Sequence, residues 1–404
     1  MMIDFRIDDT QHQMMETAGK FAREVLKPAE IELDQMADPG QVFKSDLFRS
    51  LMSDAYKLGF HKMALPEQYG GLGIDPQTLG MIWEELATGG AGFTAGLLPI
   101  AVVARIIAVF AAGNKELVER YVISFCQDEG GSQIGAWCSS EPEVGSDGSN
   151  YYDPSIRHYT TAKKKGDRYI INGTKSNFIS NGGIANSFLV FACVDPSLGI
   201  RGSGAFIVPA NAPGVSTGTP LDKIGLRALN QCPVFFDDVE VPETNMVFPH
   251  GENYPMFHNA IVTVGNIAVG YLALGLMRAA YEEATQYARE RVQWGKPIIE
   301  HQLIASKLFA AYTAIESARA LLWKASWLSK ISFPGDLKIS LAAKIFATTE
   351  AVKHTAEMVQ VLGAYGISKE YHLEKYMRDA KPLQMMDGAN EVLMLKAATE
   401  LFKR

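Results

Sequence analysis

The stretch Trp137 to Gly148, WCSSEPEVGSDG, marks the point at which the chain changes its period. Before it, Asp9 to Glu32, Lys44 to Leu58 and Pro76 to Ala87 carry apolar residues at helical spacing, with a glycine-rich turn at Gly70, Gly71 and Gly73. After it come short β-rich runs, Arg168 to Ile171, Ser187 to Val194, Ala205 to Val208 and Val234 to Val241, separated by turn residues as in an antiparallel barrel or sandwich. Residues 130–250 hold 15 Gly and 9 Pro, whereas 258–404 hold 8 and 3, so a second change of period falls near Glu252. Long amphipathic segments at 259–293, 301–329 and 338–362, with a shorter one near 390–403, then predict a four-helix bundle. The expected architecture is α+β multidomain: a helical domain over 1–130, a β domain over 131–250 and a helical bundle over 251–404.

The 404 residues are 47% hydrophobic and 21% charged, which is enough to bury real cores and excludes disorder. With 38 bases against 45 acids the net charge is −7 and no basic run interrupts it, so nucleic acid is not an expected partner. Cys126, Cys138, Cys193 and Cys232 are too few and too dispersed for a disulfide framework or a zinc site; they read as buried thiols in a reducing compartment, with no metal. The longest apolar run, Leu97 to Ala112, contains Pro99 and Arg105 and reads as a core helix rather than a membrane span. The start, MMIDFRIDDTQ, is acidic and has no apolar export segment, so a cytoplasmic protein is expected.

No Gly-x-Gly-x-x-Gly fingerprint, Walker loop, zinc spacing or nucleophile elbow occurs, and the chemistry must lie elsewhere. By itself WCSSEPEVGSDG reads first as an ordinary polar interdomain loop, and second as a place where small residues and backbone donors admit a bulky cofactor. Four further segments decide between these: NGTKSNFISNGG (Asn172 to Gly183), YARERVQWGKPIIEHQ (Tyr287 to Gln302), QVLGAYG (Gln360 to Gly366) and MRDAKPLQMMDGANE (Met377 to Glu391). In this order and spacing, over about 250 residues, they make the chain resemble the acyl-CoA dehydrogenase family along nearly its full length. The resemblance implies a helical domain, a β-barrel and a four-helix bundle, assembled as a homotetramer with one non-covalent FAD per subunit.

On the family's pattern, Trp137, Cys138, Ser139, Ser140, Gly145 and Ser146 should line the flavin, with Ser140 near its pyrimidine ring and Ser146 near phosphate and substrate. Phe178, Ile179 and Ser180 match the segment that sets an aromatic ring and a hydroxyl beside the isoalloxazine, although Asn177 is one residue extra in that strand. Arg291, Gln302, Gln360, Val361, Gly363 and Ala364 match positions that hold the FAD of a neighbouring subunit, with Arg291 countering pyrophosphate charge. Read from the residues alone, Arg291 is instead a solvated arginine at a helix end.

The family commonly carries a catalytic Glu before Gly-Thr in the last motif; here Asp387 precedes Gly388 and Ala389, so the implied base is an aspartate. Read locally, Asp387-Gly388 is also a good turn signal. Thr263, Gly265 and Asn266 fill the positions from which some relatives draw a different base, and none can serve. The implied reaction removes the α-proton of an acyl-CoA thioester by Asp387 while the β-hydrogen leaves as hydride to the flavin. The thioester carbonyl is held by a backbone N–H and a flavin hydroxyl. An apolar wall of Met385, Met386, Phe178 and Trp294 would raise the base's pKa. Asp is shorter than Glu by about 1.5 Å, which fits an alicyclic, cyclohexane-carboxyl-CoA-like, or branched substrate. Electron transfer flavoprotein is the acceptor the resemblance implies. The same aspartate also suits a nitroalkane-oxidase-like flavin oxidase, and the departures suit a flavin-binding homologue without dehydrogenase activity.

Overall fold

A computed structural model describes residues 6–151 and 153–402. The first layer is helical: α1 Asp9–Phe21, α2 Lys27–Gln35, α3 Pro39–Val42, α4 Asp46–Lys57, α5 Pro76–Gly89, α6 Ala91–Ile100, α7 Val102–Phe110, α8 Lys115–Val118 and α9 Ser124–Gln127. Its boundaries follow from capping chemistry. Asp8 and Gln11 form a reciprocal capping box on α1, Ser45 accepts the Phe48 N–H at 3.1 Å, and Asp75 caps α5 one residue before Pro76.

The middle layer is an eight-stranded sheet of β1 Gly135–Cys138, β2 Thr161–Lys165, β3 Arg168–Ser180, β4 Ser187–Cys193, β5 Ser203–Pro209, β6 Val215–Thr217, β7 Gln231–Pro242 and β8 Met246–Phe248. Its order is β6-β7-β3-β2-β4-β5-β8, with β1 paired to β4. The ladder is antiparallel except at β1–β4 and β2–β4, two parallel pairs that the expected antiparallel pattern does not contain. β4 is buried on both faces, and so it reads in sequence as an unbroken apolar run.

The last layer holds α10 Tyr254–Glu290, α11 Gln302–Ile331, α12 Leu337–Leu362, α13 Leu373–Leu383 and α14 Asn390–Phe402, with a small hairpin, β9 Val292–Gln293 and β10 Lys296–Pro297, between α10 and α11. The bundle thus has one helix more than the periodicity predicts. α13 packs on α10 and α12 and completes the bundle, while α14 lies against α12 and the residues after β1.

Contact between first and last layers is unusually close. A Cβ on Gly80 of α5 would fall 2.2 Å from the Tyr271 ring, and one on Gly275 of α10 would fall 2.3 Å from the Glu84 carbonyl oxygen. Glycine at both positions lets the helices approach almost to backbone contact. Two stretches, Ala91–Phe110 and Tyr254–Glu290, are long and apolar enough to span a membrane, but 61% and 72% of their apolar windows are buried in the protein. Their apolarity serves the core.

A buried ionic hub joins all three layers. Lys375 of α13 donates to Asp379 at 2.6 Å and to Glu30 of α2 at 3.2 Å, and Glu30 also accepts the N–H groups of Gly92 and Phe93 at 2.9 Å each. Asp379 reaches the sheet domain by accepting the Leu226 N–H at 2.6 Å, while Arg378 grips Asp34 at 2.7 Å and Glu374 at 2.7 Å. Each buried charge is therefore both paired and hydrogen-bonded, the condition under which its desolvation is tolerable.

Candidate active site

Asp387 sits in the loop between α13 and α14 with φ of +52°, a conformation that non-glycine residues rarely adopt. The Asn390 N–H bonds to the Gln384 carbonyl at 3.0 Å and closes the loop at its base. Asp387 projects from the tip of this closed turn. A Cβ built on Gly265 of α10 would lie 2.6 Å from Asp387 Oδ2, so the carboxylate packs into the notch that glycine leaves. The residue stays open to solvent on one side. Its carboxyl is nonetheless crowded by protein on the others, and this loss of water raises its pKa, with Lys344 pulling it back down.

The loop is held from three directions. Lys344 of α12, with 0% of its surface exposed, donates to the Gly388 carbonyl at 2.8 Å, the Asn390 side chain at 2.9 Å and the Gln384 carbonyl at 3.3 Å. Asn266 of α10 donates to the Asp387 carbonyl at 3.3 Å and to Val262 at 2.9 Å. The Ala389 N–H donates to Ser146 Oγ at 2.9 Å, which brings the SDG segment of the opening motif onto the Asp387 loop. The Asp387 N–H itself has no acceptor among the described residues.

The segment before Ser146 is anchored from below by a pair that sequence reading passed over. Glu141 and Lys175 are fully buried and meet at 2.6 Å; Glu141 also accepts the Tyr159 and Thr160 N–H groups, and Lys175 reaches the Ser139 and Phe191 carbonyls. Trp137 is half-buried against Phe191 with ring centroids 4.7 Å apart. Cys138 points into the sheet core, so only its backbone is free to line a ligand. Ser139 Oγ stands 3.5 Å from His158 Nε2, whereas the Ser140 hydroxyl has no partner among the described residues. Gly145 is exposed, with only Asp147 Oδ1 near the place a Cβ would take.

β3 is irregular where it carries this motif. Lys175 pairs with Val234 and Ile179 with Cys232, four residues against two, and the distortion lifts Phe178 to 65% exposure beside the half-buried Ser180. Ile179 is buried, so its side chain faces away from any ligand. Gln231 steadies the bulge by donating to the Phe178 carbonyl and to Ser180 Oγ, both at 3.3 Å.

Arg291, Gln302, Gln360, Gly363 and Ala364 are all exposed, and Arg291 lies 5.9 Å from the Tyr365 ring. Val361 differs: it is core. This second set sits far from the first. Gly265 and the Arg291 cap lie on one continuous helix, separated by about 39 Å at 1.5 Å per residue. Trp294, 94% exposed in the β9–β10 hairpin, belongs to the distant set and cannot wall Asp387 in the same chain. The Thr263 hydroxyl is buried and engaged, donating to the Asn259 carbonyl inside α10.

An exposed aromatic ring at Phe178, the uncommitted Ser140 hydroxyl, an open glycine and, among the described residues, a guanidinium without a carboxylate partner fit a flavin dinucleotide, whose flat ring and pyrophosphate need those groups. A cleft of about 310 Å³ lined by Arg23, Lys27, Glu282, Glu283 and Tyr287 shares no residue with either set.

Comparison with known proteins gives the same answer from another direction. The acyl-CoA dehydrogenase N-terminal, middle and C-terminal domain models match residues 8–129, 136–239 and 258–402. An acyl-CoA dehydrogenase of Bacillus subtilis is 35% identical over 96% of this chain and 97% of its own length. A cyclohex-1-ene-1-carbonyl-CoA dehydrogenase of Syntrophus aciditrophicus is 32% identical over 98% and 90%. Among solved structures, butyryl-CoA dehydrogenase from Megasphaera elsdenii superposes with a TM-score of 0.88 at 32% identity, over 99% of this chain and 100% of that one. A chain from a structure described as the electron transferring flavoprotein of Acidaminococcus fermentans gives 0.89 at 31% identity, with both chains covered in full. The chain belongs to the acyl-CoA dehydrogenase family: it is a FAD-dependent oxidoreductase that acts on the CH–CH bond of acyl-CoA thioesters.

Proposed function

We propose that this enzyme desaturates an alicyclic or branched acyl-CoA, with Asp387 as the base. The observation that carries the proposal is the seating of the Asp387 carboxylate against Gly265. Drawn back towards α10, a short carboxylate leaves space in front of it for an α-carbon that bears ring or branch substituents. Similarity to a relative named for a cyclohexene thioester supports this substrate class.

Asp387 takes the α-proton. Its free N–H is available to the thioester carbonyl, where negative charge grows as that proton leaves. Burial raises the carboxyl pKa and so strengthens it as a proton acceptor, while Lys344 draws it part of the way back down. Bound FAD supplies the two-electron acceptor for the β-hydride. Trp137, Ser140, Gly145, Phe178 and Ser180 are the residues that would hold it from this chain. Anaerobic titration of the yellow protein with straight, branched and cyclic acyl-CoAs, read as bleaching of the flavin, tests the reading. Bleaching by straight chains alone would refute it.

We also infer a homotetramer in which Arg291, Gln302 and the Gln360 to Ala364 segment complete the partner's cofactor site. The separation of about 39 Å supports this, because one flavin cannot touch both sets within one chain. Leu303 and Phe309 of α11 leave large apolar surfaces exposed near that end of the molecule, as a subunit contact requires. Native mass and flavin stoichiometry test the assembly. Electron transfer flavoprotein is the proposed acceptor, supported by the absence of any nicotinamide fingerprint in the chain.

A further inference from the structure

The buried face of α12 carries a polar stripe at four-residue spacing, Ser340, Lys344 and Thr348, each at most 1% exposed. Ser340 donates to the Thr263 carbonyl of α10 at 2.6 Å, and Thr348 exchanges hydrogen bonds with the Asn390 side chain at 2.9 and 3.3 Å. Lys344, between them, is the member that enters the Asp387 loop. Its three contacts bracket the base, with Gln384 on one side and Gly388 and Asn390 on the other. A fully buried ammonium with only neutral hydrogen-bond partners is costly to desolvate. A plain loop anchor would not need the charge, since an amide or hydroxyl can also donate to carbonyls.

We propose that Lys344 is a positioning residue for the reaction: its buried ammonium clasps the loop on both sides of Asp387 and holds that side chain as a charged, inward-facing base. The proposal rests on the reading of Asp387 as the base. Charged groups around the loop support it. From α12, Lys344 is the charge that acts on Asp387, and from α14, Glu391 acts on Lys344. α10 presents Gly265 and Asn266, neither ionisable. After β1, Ser146 is neutral and Asp147 is occupied with the Gly145 N–H; on α13, Lys381 donates to the Gln384 side chain. Burial lowers Lys344 to about 8, so it remains charged throughout the acidic range in which a carboxylate base gains its proton.

The test is the pH dependence of flavin reduction by acyl-CoA in stopped flow, using the holoenzyme. Lys344→Met should keep FAD and shift the acid limb upwards by about one pH unit or more, the usual effect of losing a nearby opposite charge. Asn390→Ala, which loses a loop contact and keeps the charge, should slow reduction and leave the limb in place. An acid limb in Lys344→Met at the wild-type pH would overturn the proposal. Should that variant not fold, Lys344→Gln retains donors without charge and carries the same expectation and the same refutation. Asp387→Asn in the same assay separates the two readings. Full activity there removes the base assignment, whereas loss of activity there with an unmoved limb in the Lys344 variants removes the role of Lys344 alone.

Discussion

The Asp387 carboxylate and the Cα of Gly265 share one small volume: a methyl group on Gly265 would stand 2.6 Å from Oδ2. The atom that must yield is the tip of a side chain, not backbone, so Gly265→Ala should fold, bind FAD and melt close to wild type. Its carboxylate must turn away, and a misplacement of about 1 Å at a reacting group costs roughly 100-fold in rate. Wild-type flavin reduction in this variant would show that the notch does not place the base.

Asp387 substitutions separate chemistry from fit. Asp387→Asn should retain FAD and acyl-CoA and lose flavin reduction, because a nearly isosteric amide accepts no proton at neutral pH. Asp387→Glu extends the reach by about 1.5 Å and should favour linear over ring-bearing thioesters. Competition between cyclic and straight-chain substrates reads this directly.

Arg291 is exposed, and its removal should spare the fold. A charge-assisted contact to pyrophosphate is worth about 1.5–3 kcal/mol. Arg291→Ala should therefore raise the FAD dissociation constant by roughly ten- to a hundredfold. Fluorescence of released flavin on dilution measures it.

Lys375 holds the interlayer hub, and Lys375→Met leaves Glu30 and Asp379 facing each other without their cation. Removing one partner of such a buried set costs about 3–5 kcal/mol. Urea unfolding should show that loss, with the first and last layers separating more easily.

His61 stacks on Tyr56 with centroids 4.0 Å apart, and burial, helped by Lys62, lowers its pKa to about 4. Below pH 6.5 the unfolded chain binds a proton there that the folded chain refuses, so stability falls as pH drops towards 4. His61→Phe keeps a stacked ring and removes the titration. Its melting temperature should decline less steeply than wild type between pH 6.5 and 4, by up to about 3 kcal/mol of recovered stability at the acid end.

The three-layer order was readable because α5, α10 and the β-rich middle each repeat their own period over many residues, and period follows from which face is buried. α13 was harder. Its sequence LEKYMRDAKPL is mostly polar because Lys375, Arg378 and Asp379 enter a buried ionic hub, so the hydrophobic stripe that announces a helix is thin. At the site, Asp387, Phe178 and Arg291 were visible as motif positions. Gly265 was noted only for the base it lacks, because a glycine's use as empty space depends on what another segment puts there. Lys344 was missed, although the four-residue recurrence of Ser340, Lys344 and Thr348 inside an apolar helix is a signal that a buried polar face exists. Trp294 does not wall Asp387 within one chain, because proximity along a motif says nothing about a helix that carries it about 39 Å away.

The hub at Lys375, Arg378 and Asp379 lies within a dozen residues of Asp387 yet shares none of its hydrogen bonds. The two clusters have separate tasks: the hub docks α13 on the first layer and the sheet domain, while Lys344, Asn266 and Ser146 hold the Asp387 loop. Such a division lets the tip residue change length, or identity, without unfastening the molecule. A scaffold of this kind can explore new substrates by altering one carboxylate and the small notch behind it.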